Sequence, residues 1–382
     1  MTRFRVLIVS YAHWEGLSRL PALLHSAGCE VSVLGVQDNF PSLSVHVRRA
    51  YVSPDDVNAV IADLRVHLES QPLRYDWIII GDDPLLYALA QRRNEAWAQQ
   101  CFPCRDDAAS IVVSKAEFLR ACTAAQIPVP SWRLCHSGAE LEQAAAAYGF
   151  PLVIKETQGF AGLAVKIIET PTQLAGVQVM APLIVQRFVP GRLGSAAVLF
   201  RYGKPLAWFS YYRERTWGAL GPSSAIRWQT FPEMEEILHK LGDISGFHGV
   251  CGIDFIQETS TEKLVLLEQN FRPTLTVHLG RQVGVDFSRA IPGLMDIEAL
   301  GHLPELRQQT NKHSTVALFP QDVFRALDEK DYRGLFKWLC LPWWWPELRL
   351  GEPRIFLTNL KHIFKKIREQ KTQAENGKPV NP

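Results

Sequence analysis

Residues 266–273 read Leu-Leu-Glu-Gln-Asn-Phe-Arg-Pro, an apolar run followed by polar side chains at alternate positions. Successive side chains of an extended strand point to opposite faces of a sheet. Glu268, Asn270 and Arg272 are therefore expected on one face. Any half-buried strand with a solvated polar face shows the same alternation, so the segment acquires meaning only from its neighbours.

A second apolar stretch with a single acid precedes this segment. Residues 252–256 read Gly-Ile-Asp-Phe-Ile, and the polar connection at 257–263 is typical of a hairpin. The two strands are therefore predicted to pair, with Asp254 beside Glu268 and Asn270. Three oxygen ligands without His or Cys suit Mg²⁺, because this ion prefers carboxylates and substrate phosphate oxygens.

Cationic side chains near this acidic set predict phosphate binding. Arg272 is unsuited to a bare cation site but suits one that also holds anionic phosphate. Lys155 ends the apolar strand 151–155, and the glycine-containing turn 158–162 follows it. A lysine at a strand end can reach phosphate oxygens that backbone N–H groups of such a turn also approach. Lys115 opens a predicted helix upstream of this strand.

Length and composition are those of an ordinary globular protein. The chain has 382 residues, 47% hydrophobic and 21% charged, which predicts about two to three domains. The net charge of +2, with tryptophans not interleaved with basic residues, argues against a nucleic-acid partner. No window reaches the roughly 18 apolar residues of a membrane span, so none is expected. Seven scattered cysteines indicate a reducing cytoplasm and no disulfide framework.

The first part of the chain reads as alternating strands and helices. Apolar strands within residues 5–81 are separated by helical patterns, which predicts a mostly parallel α/β layer up to about residue 110. The turn at 11–16 lacks the close-spaced glycines of a pyrophosphate-binding turn, which disfavours a dinucleotide oxidoreductase. An antiparallel α+β pattern follows, so a domain boundary is expected near 105 to 115.

In this order and spacing, the motifs make the chain resemble the ATP-grasp superfamily over about residues 1 to 295. The elements that carry the resemblance are Lys115, Val153-Ile154-Lys155, the turn 158–162, Val185-Gln186-Arg187-Phe188-Val189-Pro190-Gly191, Gly252-Ile253-Asp254-Phe255 and Leu267-Glu268-Gln269-Asn270-Phe271-Arg272-Pro273.

The resemblance implies an α/β plus α+β fold, in which an N-terminal parallel α/β (pre-ATP-grasp) domain precedes two α+β subdomains that clasp ATP. The implied division has an N-terminal domain at 1–110 and a small ATP-grasp subdomain at 111–190. A C-terminal ATP-grasp subdomain with the metal site follows at 191–300, and an extension at 301–382 has a basic helix and a disordered tail.

The resemblance also implies ATP and Mg²⁺ as cofactors, with Mn²⁺ as an alternative metal. ATP contacts are implied for Lys115, Lys155, Gly159 and Gly162 at the phosphates, and for the hinge residues Gln186, Arg187, Phe188 and Val189 at adenine. The implied metal ligands are Asp254, Glu268 and Asn270. Catalytic roles are implied for Arg272, which would steady the transferred phosphoryl group or the acyl phosphate, and for Lys155 through its contact with the ATP phosphates.

Arginines near residue 215 add candidates that the motifs do not include. Arg213 and Arg215 lie in an aromatic, glycine-flanked segment, and a guanidinium can bind a carboxylate or an acyl phosphate in bidentate fashion. Solvated arginines of a surface loop are the alternative. The hinge departs from the family pattern, because Arg187 and residues 192–195 stand where relatives often carry acids.

The activity implied by the resemblance is ATP-dependent, ADP-forming ligation of a small-molecule carboxylate to an amine through an acyl phosphate. One alternative is an ATP-grasp enzyme with a thiol or bicarbonate substrate. Another is a nucleotide-binding regulatory protein without turnover. A cytoplasmic protein is expected, and a homodimer is common among such proteins.

The C-terminal region carries weaker signals. Trp343-Trp344-Trp345 lie between two prolines and are expected to pack as core or lid, with a partner surface as the alternative. Residues 360–371 predict a basic helix with an apolar side formed by Ile363, Phe364 and Ile367. A solvated final helix is favoured over one that binds a membrane surface or a polyanion.

Overall fold

The computed structural model describes residues 4–70, 74–157, 165–218, 221–309 and 314–375. Within these residues the strands form three sheets, one with six strands and two with four. The glycine turn 158–162 and the tail after residue 375 lie outside the described residues. No helix in the described part of the chain is long and apolar enough to cross a membrane.

The N-terminal layer is a parallel sheet with strand order β3-β2-β1-β4, as predicted. Its strand β1 is apolar and almost wholly buried, which is typical of a strand covered on both faces. The elements are β1 (Arg5–Ser10), α1 (Leu20–Ser26), β2 (Glu30–Val36), β3 (Val47–Ser53), α2 (Val57–Ser70), β4 (Trp77–Ile80), α3 (Asp83–Ala90), α4 (Ala96–Gln99) and α5 (Ala109–Val113).

A four-stranded antiparallel sheet, ordered β5-β8-β6-β7, follows with its own small core. Serine caps start two of its helices, since Ser114 Oγ accepts from Glu117 N and Ser137 Oγ accepts from Glu140 N, each at 3.3 Å. The elements are α6 (Lys115–Ala124), β5 (Trp132–Cys135), α7 (Gly138–Tyr148), β6 (Leu152–Glu156), β7 (Val165–Ile168), α8 (Pro171–Ala175) and β8 (Leu183–Arg187).

The third sheet has six antiparallel strands in the order β13-β12-β9-β10-β11-β14. Its two faces pack into separate cores, and each core also contains residues of the N-terminal layer. The elements are β9 (Gly191–Arg201), β10 (Lys204–Thr216), β11 (Ser223–Trp228), α9 (Met234–Ser245), β12 (Gly249–Glu258), β13 (Leu264–Asn270), α10 (Phe287–Met295), α11 (Ile297–Gly301) and β14 (Thr315–Ala317).

The C-terminal extension contains three α-helices, α12 (Gln321–Asp328), α13 (Tyr332–Cys340) and α14 (Pro353–Glu375), and a 3₁₀ helix at Pro342–Leu348. They pack on a cluster that includes Phe319, Trp338, Trp344 and Ile363. Trp344 is buried, so this member of the tryptophan run packs as core. The predicted basic helix is longer than expected, because α14 begins at Pro353.

Buried charges join the extension to the N-terminal layer. Glu347, in the extension, is 1% exposed. Its carboxylate pairs with Nη2 of Arg19, in the N-terminal layer, at 3.1 Å and with Nε2 of His278 at 2.8 Å. Burial acts to raise the pKa of Glu347, but Arg19, His278 and Arg349 overcome it and lower that pKa to about 2. Since the carboxyl is easier to ionise when the chain is folded, its ionisation stabilises the fold.

Replacing Glu347 by Gln is expected to reduce the free energy of unfolding at pH 7 by about 3 kcal/mol, from a pKa that falls from 4.5 to about 2. The contribution is fully present above pH 4.5 and is lost as the pH falls through 2. The difference in free energy of unfolding between the wild type and the Gln variant should therefore roughly halve between about pH 5 and about pH 3. Urea unfolding of both proteins at several pH values measures this difference. A difference in unfolding free energy that does not change with pH would contradict this account.

Candidate active site

A row of polar side chains crosses the six-stranded sheet. Glu268, Asp254, Ser195 and Tyr211 stand directly opposite one another on β13, β12, β9 and β10. Directly opposite residues of paired strands point to the same face. Ser195 Oγ donates a 2.5 Å hydrogen bond to Asp254 Oδ1, and Tyr211 shares one of 2.8 Å with Thr276 Oγ1. The predicted pairing of Asp254 with Glu268 is confirmed.

Asn270 joins this row from the neighbouring position of β13. It lies opposite Gly252, and its Nδ2 donates to Asp254 Oδ2 at 3.3 Å. A Cβ at Gly252 would lie 2.4 Å from Thr274 Cγ2, so a larger residue would displace the segment after the strand. The structure therefore brings together two carboxylates and one amide, as the sequence predicts.

The donor set fits a hard cation that shares its coordination with a ligand. Among the described residues, no three His, Cys, Asp or Glu side chains form a metal cluster. Asp254 and Glu268 with the amide of Asn270 would leave coordination positions open. Mg²⁺ is bound in this way, by one or two carboxylates plus phosphate oxygens and water.

Two lysines, Lys155 on strand β6 and Lys115 at the start of helix α6, lie near the acids. Lys155 is buried near the end of β6, and burial lowers its pKa while Glu268 and Asp254 oppose that effect. Lys115 adds to the lowering, which places both lysines within electrostatic reach of each other. Lys115 also lines a small cavity with Glu268 and Asn270. Cations from the segment 111–190 therefore lie beside oxygen ligands of the six-stranded sheet.

The predicted adenine hinge runs along the end of β8. Gln186 and Val189 are buried, Phe188 is half-buried, and Arg187 is exposed and pairs with Glu258 at 3.3 Å. The buried Nε2 of Gln186 has no hydrogen-bond partner within the described residues. A buried donor without a partner is costly, so this amide is suited to meet a ligand. Gly159 and Gly162 lie outside the described residues.

Arg272 is held by the N-terminal layer. Its Nε pairs with Asp83 Oδ2 at 3.0 Å, and its guanidinium lies 4.4 Å from the centre of the Trp14 ring. A Cβ at Gly16 would lie 2.3 Å from Trp14 Cζ2, so glycine lets this ring fold back. Asp83 also lines the small cavity that Lys115 and Glu268 line. Arg272 is therefore held near this cavity by Asp83 and Trp14, which the sequence analysis did not include.

A sequence signal for these partners exists. Asp82-Asp83-Pro84 comes one residue after the end of β4, at the carboxyl edge of a parallel sheet where ligands commonly bind. Burial raises the pKa of Asp82 to about 6, although hydrogen bonds from the backbone N–H groups of Tyr11 and Ala12 act to lower it. Tyr11 N donates to Asp82 Oδ2 at 2.6 Å, which fixes the turn that carries Trp14.

The structure gives the two candidate arginines different surroundings. Arg213 lies two positions from Tyr211 on β10 and donates to Ser223 Oγ at 3.1 Å and to the carbonyl of Gly221. Arg215 pairs with the fully buried Asp322 at 3.0 Å. Arg213 thus remains beside the polar row, while Arg215 anchors the C-terminal extension.

Oxygen ligands for a divalent cation, with lysines beside them, are the groups that recur around nucleotide phosphates in phosphoryl-transfer sites. Residues 112–276 match the family model of the ATP-grasp domain. The chain therefore carries an ATP-grasp domain, and the predicted ATP-grasp fold is confirmed. No curated protein matches the chain by sequence.

Three solved structures illustrate the likeness. An ADP complex of N5-carboxyaminoimidazole ribonucleotide synthetase is 17% identical with a TM-score of 0.61, and the match covers 81% of each chain. An L-amino acid ligase from Bacillus licheniformis is 16% identical, with a TM-score of 0.61 over 81% of this chain and 78% of that one. The biotin carboxylase domain of Hydrogenobacter thermophilus 2-oxoglutarate carboxylase, with MgADP, ADP and bicarbonate, is 16% identical, with a TM-score of 0.59 over 81% and 72%.

The pair between Arg272 and Asp83 is expected to be worth more than a surface pair, because both side chains are less than a fifth exposed. A double-mutant cycle with Arg272→Met and Asp83→Asn should give a coupling energy of about 1 to 3 kcal/mol in urea unfolding. The control cycle uses the exposed pair of Arg65 and Glu69 and should give about 0.3 to 0.5 kcal/mol. Equal couplings would show that Asp83 does not hold Arg272.

Proposed function

We propose that this protein is an ATP-dependent carboxylate–amine ligase that releases ADP. The observation that carries the proposal is the placement of Lys155 beside Asp254, Glu268 and Asn270 within a domain of the ATP-grasp family. The L-amino acid ligase with the same fold supports the choice of an amine as the acceptor.

The chemistry needs two displacements. A carboxylate oxygen attacks the γ-phosphorus of ATP, the bond from that phosphorus to the bridging oxygen breaks, and ADP leaves. The amine then attacks the carbonyl carbon of the acyl phosphate, loses a proton, and inorganic phosphate leaves as the amide forms. ATP comes first because a carboxylate oxygen is a poor leaving group until it is phosphorylated.

Positioning and charge neutralisation are what phosphoryl transfer asks of a protein. In our proposal Asp254, Glu268 and Asn270 hold Mg²⁺ or Mn²⁺, which neutralises phosphate charge when bound. Lys155 and Lys115 bind ATP phosphate oxygens. Gly159 and Gly162 are proposed to contact the phosphates. The hinge Gln186, Arg187, Phe188 and Val189 is proposed to hold adenine, with Nε2 of Gln186, which has no partner among the described residues, as a donor.

Arginines are proposed to bind the transferred phosphoryl group and the carboxylate substrate. Arg272 steadies the transferred phosphoryl group, and its ion pair with Asp83 keeps the guanidinium next to the cavity that Lys115 and Glu268 line. Arg213 and Arg215 are proposed for the carboxylate substrate or its acyl phosphate. Arg213 is the better placed of the two, because Arg215 already neutralises Asp322.

The proposal includes the division into 1–110, 111–190, 191–300 and 301–382. The three sheets support it, because each lies within or is centred on one of the first three segments. A cytoplasmic location is proposed because all seven cysteines are unpaired. A homodimer remains part of the proposal, and sedimentation velocity tests it.

Glu268→Ala is expected to reduce substrate-dependent ADP release at least about a hundredfold, because one of two carboxylates in the metal set is lost. The control is Glu235→Ala, since Glu235 is an exposed acid on α9. Coupled-enzyme detection of ADP measures turnover, and circular dichroism checks the fold. Unchanged turnover of the Glu268 variant would contradict the assignment of Glu268 as a metal ligand.

The substrate class is tested by incubating the protein with Mg-ATP and pools of carboxylates and amines, followed by mass detection of condensed products. An amide together with one ADP per bond supports the ligase. Products formed only with thiols or bicarbonate would identify the alternative acceptors. Nucleotide binding without ADP release from any pool would indicate a regulatory protein.

A further inference from the structure

Exposed apolar side chains are concentrated in the C-terminal extension. Sixteen large hydrophobic residues are exposed among the described residues, and half of them lie between residues 332 and 367. These are Tyr332, Phe336, Leu339, Trp345, Leu350, Leu357, Phe364 and Ile367. A large exposed apolar patch on a protein surface marks an interaction site more often than single exposed side chains do.

Helix α13 presents a continuous apolar stripe. Tyr332, Phe336 and Leu339 follow one another at helical spacing and are 72%, 64% and 72% exposed. Gly334 and Trp338, on the other side of the helix, are buried. The stripe is therefore the outer side of a helix whose inner side is already packed.

Helix α14 repeats this arrangement with added positive charge. Leu357 and Phe364, seven residues apart, are 54% and 58% exposed, whereas Ile363 is buried in the cluster that α13 also packs on. Lys361 and Arg368 fall on the same side as Phe364, because residues three and four apart are neighbours on a helix.

The whole of α14 is basic, with six Lys or Arg residues and two Glu. Lys366 faces inward, where it pairs with Asp328 at 2.8 Å and lies over the Trp217 ring at 5.1 Å. Lys365 is exposed and lies 3.9 Å from the exposed Glu369. Since Lys366 anchors the inner side, the helix is held with its apolar and basic side outward.

We propose that the outer sides of α13 and α14 form a docking surface for an anionic lipid surface, a role beyond the ligase activity. Aromatic and aliphatic side chains flanked by Lys and Arg are the composition of helices that lie in a lipid interface. The apolar groups enter the acyl boundary while Lys361, Lys365 and Arg368 meet anionic headgroups.

Charge favours this occupant over a second copy of the chain. Two α14 helices placed face to face would bring Lys361, Lys365 and Arg368 of one copy against the same cations of the other, which is unfavourable. The outer side of one helix is also convex, and a lipid surface adapts to it without a preformed groove.

The test is flotation of the full-length protein with vesicles of phosphatidylcholine containing about 30% phosphatidylglycerol, against vesicles of phosphatidylcholine alone. We expect binding to the anionic vesicles, weakened when salt rises from about 0.1 M to about 0.5 M. Lys361→Glu/Lys365→Glu/Arg368→Glu and, separately, Leu357→Ser/Phe364→Ser should each lower the bound fraction by about tenfold.

The matched control is Lys166→Glu/Lys204→Glu/Lys263→Glu, which changes net charge equally at exposed lysines on β7, on β10 and beside β13. It should bind vesicles like the wild type, and circular dichroism should show that all variants are folded. Equal loss in the control, or no binding of the wild type to anionic vesicles at low salt, would overturn the proposal. Conversion of a dimer to a monomer by the Leu357/Phe364 variant without vesicle binding would overturn it in favour of self-association.

Discussion

The register of β9, β12 and β13 is the constraint on which the site depends. It sets Ser195, Asp254 and Glu268 side by side, and a slip of one residue would turn each carboxylate to the other face of the sheet. The register is strongly specified because both faces pack into apolar cores. The free energy of burying those cores therefore also holds two like charges together, beside the buried Lys155 that opposes their repulsion.

Ion pairs between segments that are distant in the chain also hold the site together. Arg272 forms an ion pair with Asp83, which lies earlier in the chain. Arg215 pairs with Asp322 of the extension, and Glu347 of the extension pairs with Arg19. Each pair is largely shielded from solvent on at least one side, so removing a single partner leaves a charge that water solvates poorly. The N-terminal layer, the six-stranded sheet and the extension are thereby held around one site.

Local patterns predicted the elements whose signals lie within a few residues. The alternation at 266–273 and the polar turn before it predicted the hairpin, and the helix predicted to open at Lys115 begins there in the structure. The short helix α12 and strand β14 were not predicted. Their stability comes from packing on Trp338 and Trp344, which a local pattern does not reveal.

The sequence by itself indicated the ATP-grasp fold, through its resemblance to that superfamily. It also indicated the candidate metal set, because Asp254, Glu268 and Asn270 sit on two strands joined by a short turn and alternation places Glu268 and Asn270 on one face. Only the tertiary structure decided the partners of Arg272 and Arg215, because Asp83 and Asp322 lie far away in the chain. Such pairs depend on how layers pack, and packing is set by the sum of many weak apolar contacts.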